Sequence, residues 1–384
     1  MKTILQSKKF WRRVLLTVLS FAILAGIVEI AIHHYDPTRV VYRRLKAPDS
    51  YLYERIDPEL RKTNVASLIR PEVIDNPEGT RSRLIKVIWG DDGYPDTVAP
   101  TKVETDTQDM FLGDLPDGTK LSKLIFDLGL GLSSWPYLAR SPNPQNRLVI
   151  YHHGFGDPID RMSDFLSALL ADGYDVLAIN ALGHGGTLAF VDSDQDGVLP
   201  AARRSRKSNI FHQMSHFERP LKYHLDPIVG ALAYARRNHG YKSVDMAGFS
   251  MGGFLTMLSA AVIPDIERSY PIAGVYPNFM RRGQEILPDS PPSYPPLMTV
   301  ANHLEMFVLG ASGAKRAQVQ VFNRYDRCCF NGIRSDLYKS EVQNTVSKNR
   351  NGGSFEVLID ESHADHRISD FTTKAILQDL RRDR

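Results

Sequence analysis

The chain has 384 residues and a formal net charge of +3. That length suits one large domain or two modest ones, and so small a charge gives no footprint for nucleic acid, which is not expected as a partner. The two cysteines, Cys328 and Cys329, are adjacent. This excludes a loop-closing disulfide framework, and no Cys/His run has zinc spacing, so neither a cofactor nor a resident metal is expected.

The amino end reads as a membrane segment. Lys8, Lys9, Arg12 and Arg13 precede an apolar run from Val14 to Ile32, whose only charge is Glu29. Such a run, about 19 residues, just spans a bilayer. Basic residues ahead of it favour a cytoplasmic amino terminus and an extracytoplasmic domain, although Arg39, Arg43, Arg44 and Lys46 weaken that bias. The alternative is a cleaved signal peptide cut after Ala25. Residues 1–34 are therefore expected to be an anchor or signal segment, 35–82 a stalk or elaboration, and 83–384 the main domain.

In that domain, "RLIKVIW" (Arg83 to Trp89) reads as a strand, and "LSKLIFDLGLGL" gives no clear period. From Arg147 onward the elements alternate. "RLVIYHHG" reads as a buried parallel strand. The helix "PIDRMSDFLSALLADGY" puts Met162, Phe165, Leu166, Leu169 and Leu170 on one face and stops at Gly173. "DVLAIN" is the next strand. "DPIVGALAYARRNHG" reads as a helix capped by Asp226, with Pro227 at its first position and Gly240 past its end. Strand "SVDMAGFS" runs into helix "MGGFLTMLSAAV". Strands "PIAGVY", "QVQVF" and "FEVLID" follow, then a helix holding Phe371, Ile376 and Leu380. This alternation predicts an α/β fold with a mostly parallel sheet, helices on both faces, and a site at the carboxyl ends of the strands. The proline-rich segment 277–316 interrupts it and reads as a small lid insert. Its Phe279, Met280, Leu287, Tyr294, Leu297, Met298 and Phe307 suit an apolar group in the pocket.

Gly248-Phe249-Ser250-Met251-Gly252 sits where a strand turns sharply into an apolar helix. A serine there is exposed at the turn, and the flanking glycines remove side chains that would clash. "YHHGFGD" closes an earlier strand. A turn of that kind can aim the Phe155 N–H at a developing oxyanion, with the Met251 N–H as second donor. The side chains of His152 and His153 close the strand and are not expected to act as base. "DSDQDG" places Asp192, Asp194 and Asp196 like the opening of a calcium loop, but Arg203 stands where the twelfth-position glutamate would be. The basic run "ARRSRKS" reads as an exposed loop.

With "HHGFG", "ALGHGGT" and "GFSMGG" in this order, the sequence from about Arg83 to the carboxyl end resembles the α/β-hydrolase family. The resemblance implies a nucleophile, acid and base in that chain order, with "GHG" and its His184 structural. The acid then follows "QVQVF", where Asp326 is favoured over the later Asp336. The base follows "FEVLID", where His363 is favoured over His366, and Asp360, Glu361 and Asp365 are left to loop hydrogen bonds and rim charge. The implied activity is hydrolysis of a small-molecule or lipid-like carboxylic ester through Ser250, His363 and Asp326 and an acyl-enzyme. A peptidase or acyltransferase with the same triad, or a non-catalytic envelope scaffold, is the alternative.

Overall fold

Alternate residues of the stretch Arg147–His152 enter two different cores: Leu148 and Ile150 join one apolar cluster, Val149 and Tyr151 the other. A strand that is dry on both sides belongs to a sheet covered on both sides. The computed structural model describes residues 2–47, 51–95, 97–107, 114–129, 132–155, 162–182, 217–281, 291–349 and 351–382.

Among the described residues, ten strands form one sheet: β1 (Lys102–Thr105), β2 (Lys120–Gly129), β3 (Leu132–Ser134), β4 (Tyr137–Arg140), β5 (Arg147–His152), β6 (Asp175–Ile179), β7 (Ser243–Phe249), β8 (Ile266–Ile272), β9 (Ala317–Asn323) and β10 (Ser354–Asp360). Their order is β1-β2-β4-β6-β5-β7-β8-β9-β10, with β3 paired to β2. The six strands from β6 to β10 in that order pair in parallel. The remaining strands form an antiparallel edge.

Among the described residues, the helices of nine or more residues are α1 (Lys2–His34), α2 (Asp36–Lys46), α3 (Pro77–Trp89), α4 (Ser163–Ala171), α5 (Pro220–His239), α6 (Met251–Val262), α7 (His303–Ala311), α8 (Lys339–Ser347) and α9 (Asp370–Leu380). Residues of α3, α5, α6, α7 and α8 fill the core on one face of the sheet, and those of α4 and α9 fill it on the other. Helix α1 contains a segment, Lys9–His34, with mean hydropathy 2.5 and no burial against the rest of the protein. It is long and apolar enough to cross a membrane.

Several expected elements differ. "RLIKVIW" is the end of helix α3, not a strand. Asn76 caps that helix by accepting from Gly79 N at 2.9 Å, Pro77 opens it, and Leu84 and Ile88, one turn apart, bury fully. The expected boundary at residue 82 therefore falls inside a core helix, and Leu52, Tyr53, Ile56 and Val73 upstream of it are buried too. "LSKLIFDLGLGL" supplies most of β2. Helix α5 starts at Pro220, so Pro227 lies within it. Asp226 does not cap it; its buried carboxylate accepts from Trp89 Nε1 at 2.7 Å. Within the expected lid, α7 is a core helix, every residue of it buried. Asn302 and Glu305 form a capping box at its start, which is why the helix begins there.

Candidate active site

Parallel register brings the functional strand ends level. His152 at the end of β5 lies opposite Gly248 of β7, and Asn323 at the end of β9 lies opposite Asp360 of β10. The segments after β5, β7, β9 and β10 therefore leave the sheet along one edge.

Ser250 follows β7 at φ 55°, ψ −120°, and α6 begins at the next residue. A non-glycine residue rarely takes this conformation, at a cost of about 1–3 kcal/mol, and the surroundings must enforce it. They do so by hydrogen bonds: Ser250 N donates to Ile272 O at 2.8 Å, and Gly253 N donates to Ser250 O at 2.9 Å. Gly252 makes the turn sterically feasible, because a Cβ there would lie 1.9 Å from His152 O. That close approach seats the end of β5 against the start of α6. The chain leaving β5 then passes over the serine: a Cβ on Gly154 would lie 2.7 Å from Ser250 Cβ and 3.3 Å from its Oγ. The neighbours of Ser250 are thus the backbone around Gly154 and Phe155 on one side and the amino end of α6, with Met251, on the other.

Asp326 and His366 come together, and His363 does not join them. Asp326 is fully buried; its Oδ1 accepts from Cys328 N at 2.7 Å, and its Oδ2 lies 2.5 Å from His366 Nδ1. The His366 side chain is 22 % exposed, and its ring centroid is 4.5 Å from that of Phe249, the residue before the serine. His363, the expected base, has no exposed surface. Its Nδ1 accepts from Asp365 N at 3.2 Å and its Nε2 lies 3.4 Å from Asp360 Oδ2. His363 is therefore a buried loop-forming side chain. The other expected acid, Asp336, is exposed on the surface beside Lys339.

The loop carrying His366 is fixed from two directions. From within, Asp360 accepts from Ser362 N at 2.8 Å, from Thr372 Oγ1 at 2.8 Å and from Ser369 Oγ. Burial opposes the charge on Asp360, but hydrogen bonds from His363, Ser362 and Ser369 outweigh it and hold the carboxyl below the usual carboxylate range. From outside, α2 grips both neighbours of His366. Arg39 donates two hydrogen bonds to Asp365, Nη1 at 2.5 Å, and Arg367 Nη2 donates to Asp36 at 2.7 Å. Asp36, Arg39 and Arg367 were missed from the sequence, because no local pattern links a segment beside the apolar helix to a loop more than three hundred residues away.

His152 is buried, and burial lowers its pKa to about 4 against the hydrogen bond to the His153 backbone, which raises it. It is neutral at physiological pH, with Nδ1 2.7 Å from His153 O. His184, the calcium-loop residues Asp192, Asp194 and Asp196, Arg203, Leu287 and the run 202–208 lie outside the described residues.

A mainly parallel sheet with a strained serine turn after one strand, and an acid–histidine pair after two others, is an α/β-hydrolase arrangement. A family profile described as "Alpha/beta hydrolase family" matches residues 149–342, half of the chain, and the protein belongs to that family. No curated protein matches the sequence. Among solved structures, methylesterase BT1017 aligns at 15 % identity with a TM-score of 0.55, covering 81 % of this chain and 64 % of that one. This chain thus spans less than two thirds of that protein's length. An acetyl xylan esterase from Paenibacillus sp. R4 aligns at 13 % identity over 82 % of this chain and 97 % of that one, TM-score 0.49. Acetyl xylan esterase 1 from Thermoanaerobacterium sp. JW/SL YS485 aligns at 14 % identity over 83 % and 96 %, TM-score 0.49. At these identities the likeness is one of fold.

Proposed function

We propose that the protein is a serine hydrolase that cleaves a carboxylic ester, with Ser250 as nucleophile, His366 as general base and Asp326 as its orienting acid. The observation that carries this is the short Asp326–His366 pairing beside Phe249, one residue before a serine in a strained strand–helix turn. A carboxylate on Nδ1–H leaves Nε2 as the basic nitrogen. His366 Nε2 takes the hydroxyl proton as Ser250 Oγ attacks the ester carbonyl. The N–H groups of Phe155 and Met251 receive the oxyanion, helped by the positive end of α6. The imidazolium, stabilised by Asp326, returns the proton to the departing alkoxide. Water activated by the same nitrogen then releases the acid.

The substrate we favour is an amphiphilic, lipid-like ester met at a membrane surface. Helix α2 begins two residues after the apolar helix ends, and it is α2 that holds the loop of His366. Either an anchor or a signal segment would place the domain on the extracytoplasmic side, which we adopt as its location. The test is labelling of the full-length protein by a fluorophosphonate probe, expected to disappear in Ser250→Ala. A panel of aryl esters of graded acyl length, acetylated glycans and peptides, with water or alcohol as acceptor, then fixes the class. Labelling that survives Ser250→Ala, or cleavage of peptides alone, would overturn the assignment.

A further inference from the structure

The loop after β9 carries a feature that ester hydrolysis does not use. Cys328 and Cys329 stand two and three residues beyond Asp326, and their sulfurs lie 2.7 Å apart. Cys329 Sγ lies 4.0 Å from Nε2 of His366. The two sulfurs and an imidazole nitrogen of His366 all fall within 4.8 Å of one another. Cys328 is exposed, so an ion in solution can reach the cluster.

We propose that Cys328, Cys329 and His366 form a binding site for a thiophilic metal ion, and that an ion held there switches the hydrolase off. Two thiolates and an imidazole are the donor set of soft or borderline ions such as Zn²⁺, Cd²⁺ and Cu⁺, while Mg²⁺ and Ca²⁺ require oxygen ligands. Asp326 supplies the supporting interaction: a carboxylate on the far nitrogen of a histidine fixes the tautomer that coordinates through Nε2 and raises its basicity. The same hydrogen bond that makes His366 a base makes it a ligand. Geometry requires one adjustment. A tetrahedral ion with bonds of about 2.3 Å to sulfur and 2.0 Å to nitrogen separates S from N by about 3.5 Å and S from S by about 3.8 Å. The Cys329–His366 separation is close to that. The two sulfurs must part by about an ångström on the same scale, which a side-chain rotation of the exposed Cys328 provides.

Inhibition follows from the lone pair. Nε2 has one, and either the ion or the Ser250 proton can occupy it. Ion binding needs deprotonated thiols, so affinity rises with pH. The switch rests on the triad reading above; the site itself does not.

The test uses the full chain in detergent, reduced with a phosphine, with Cd²⁺ as the probe. One Cd²⁺ per chain is expected, with a thiolate-to-cadmium charge-transfer band. Ester turnover should fall at least tenfold at saturation and recover on adding a chelator, while Mg²⁺ has no effect. Cys328→Ser/Cys329→Ser should lose the band, and its turnover, relative to its own metal-free rate, should be insensitive to Cd²⁺. His366→Gln should bind Cd²⁺ at least tenfold more weakly. Absence of the band in the wild type, unchanged affinity in His366→Gln, or full turnover with Cd²⁺ bound would each overturn the proposal. If the metal-free protein hydrolyses no ester, the triad reading fails, and the band with its dependence on both cysteines and His366 still decides the metal site.

Discussion

The sharpest consequence of the structure concerns the two histidines three residues apart. Replacing His366 by Gln removes the base yet keeps an N–H donor for the buried Asp326 carboxylate. General-base loss is worth about 10²–10⁴ in rate, or roughly 3–5 kcal/mol of transition-state stabilisation. Stability should change by less than about 1 kcal/mol, because the ring is partly exposed and a donor to Asp326 is retained. His363→Ala acts in the opposite sense. The ring is fully buried and its Nδ1 accepts from Asp365 N, so truncation strands that N–H at about 1–3 kcal/mol and leaves a void besides. Turnover of the folded fraction should fall by less than tenfold. The assay pairs kcat/KM on a short-chain aryl ester with the urea midpoint of each variant. A His363→Ala protein with an unchanged midpoint and no turnover, beside an active His366→Gln, would refute the reasoning.

Three further outcomes follow from the geometry. Arg39→Ala removes a partly exposed bidentate pair, so its stability change should stay below about 1 kcal/mol; looser placement of His366 should lower kcat by about tenfold or more with KM little changed, and a kcat within twofold of wild type would remove Arg39 as a positioning residue. Gly252→Ala puts a Cβ 1.9 Å from the His152 carbonyl, a backbone atom that cannot swing away, so a loss of about 3 kcal/mol is expected and a normal unfolding midpoint would contradict the turn described. Burial, only partly offset by Arg147, raises the Asp245 carboxyl to about 7. The folded state then holds a proton that the unfolded state releases near pH 4, so this stability is present below that pH and lost as pH rises through about 7. Asp245→Asn should remove that dependence, gaining on the order of 2 kcal/mol over wild type between pH 5 and pH 8, and parallel curves would exclude it.

The parts of this protein legible in its sequence are those whose cause is local. Gly252 is required by a carbonyl one strand away, and Gly154 by the serine it touches, so the serine turn shows up as closely spaced glycines. The both-faced strands of the sheet are visible as unbroken apolar runs. Where local signals compete, the reading failed: five apolar residues in "RLIKVIW" fit a strand, and the decisive evidence was Asn76-Pro77 at the helix start, before the run began. The pairing of His366 with Asp326 was hidden for a different reason. Counting from the strand end favours His363, but Asp360 gathers Ser362, Ser369 and Thr372 around its carboxylate and turns His363 inward. Asp36 and Arg39 then hold the residues on either side of His366. Neither contact leaves a trace near the "HADH" stretch. The position of His366 is therefore set by an ion-paired clamp from the segment that follows the apolar helix, and a nitrogen of the same ring is within reach of two thiols. The two roles we propose for His366, base and ligand, both depend on its Nδ1 bond to Asp326, so a variant that breaks that bond should weaken both.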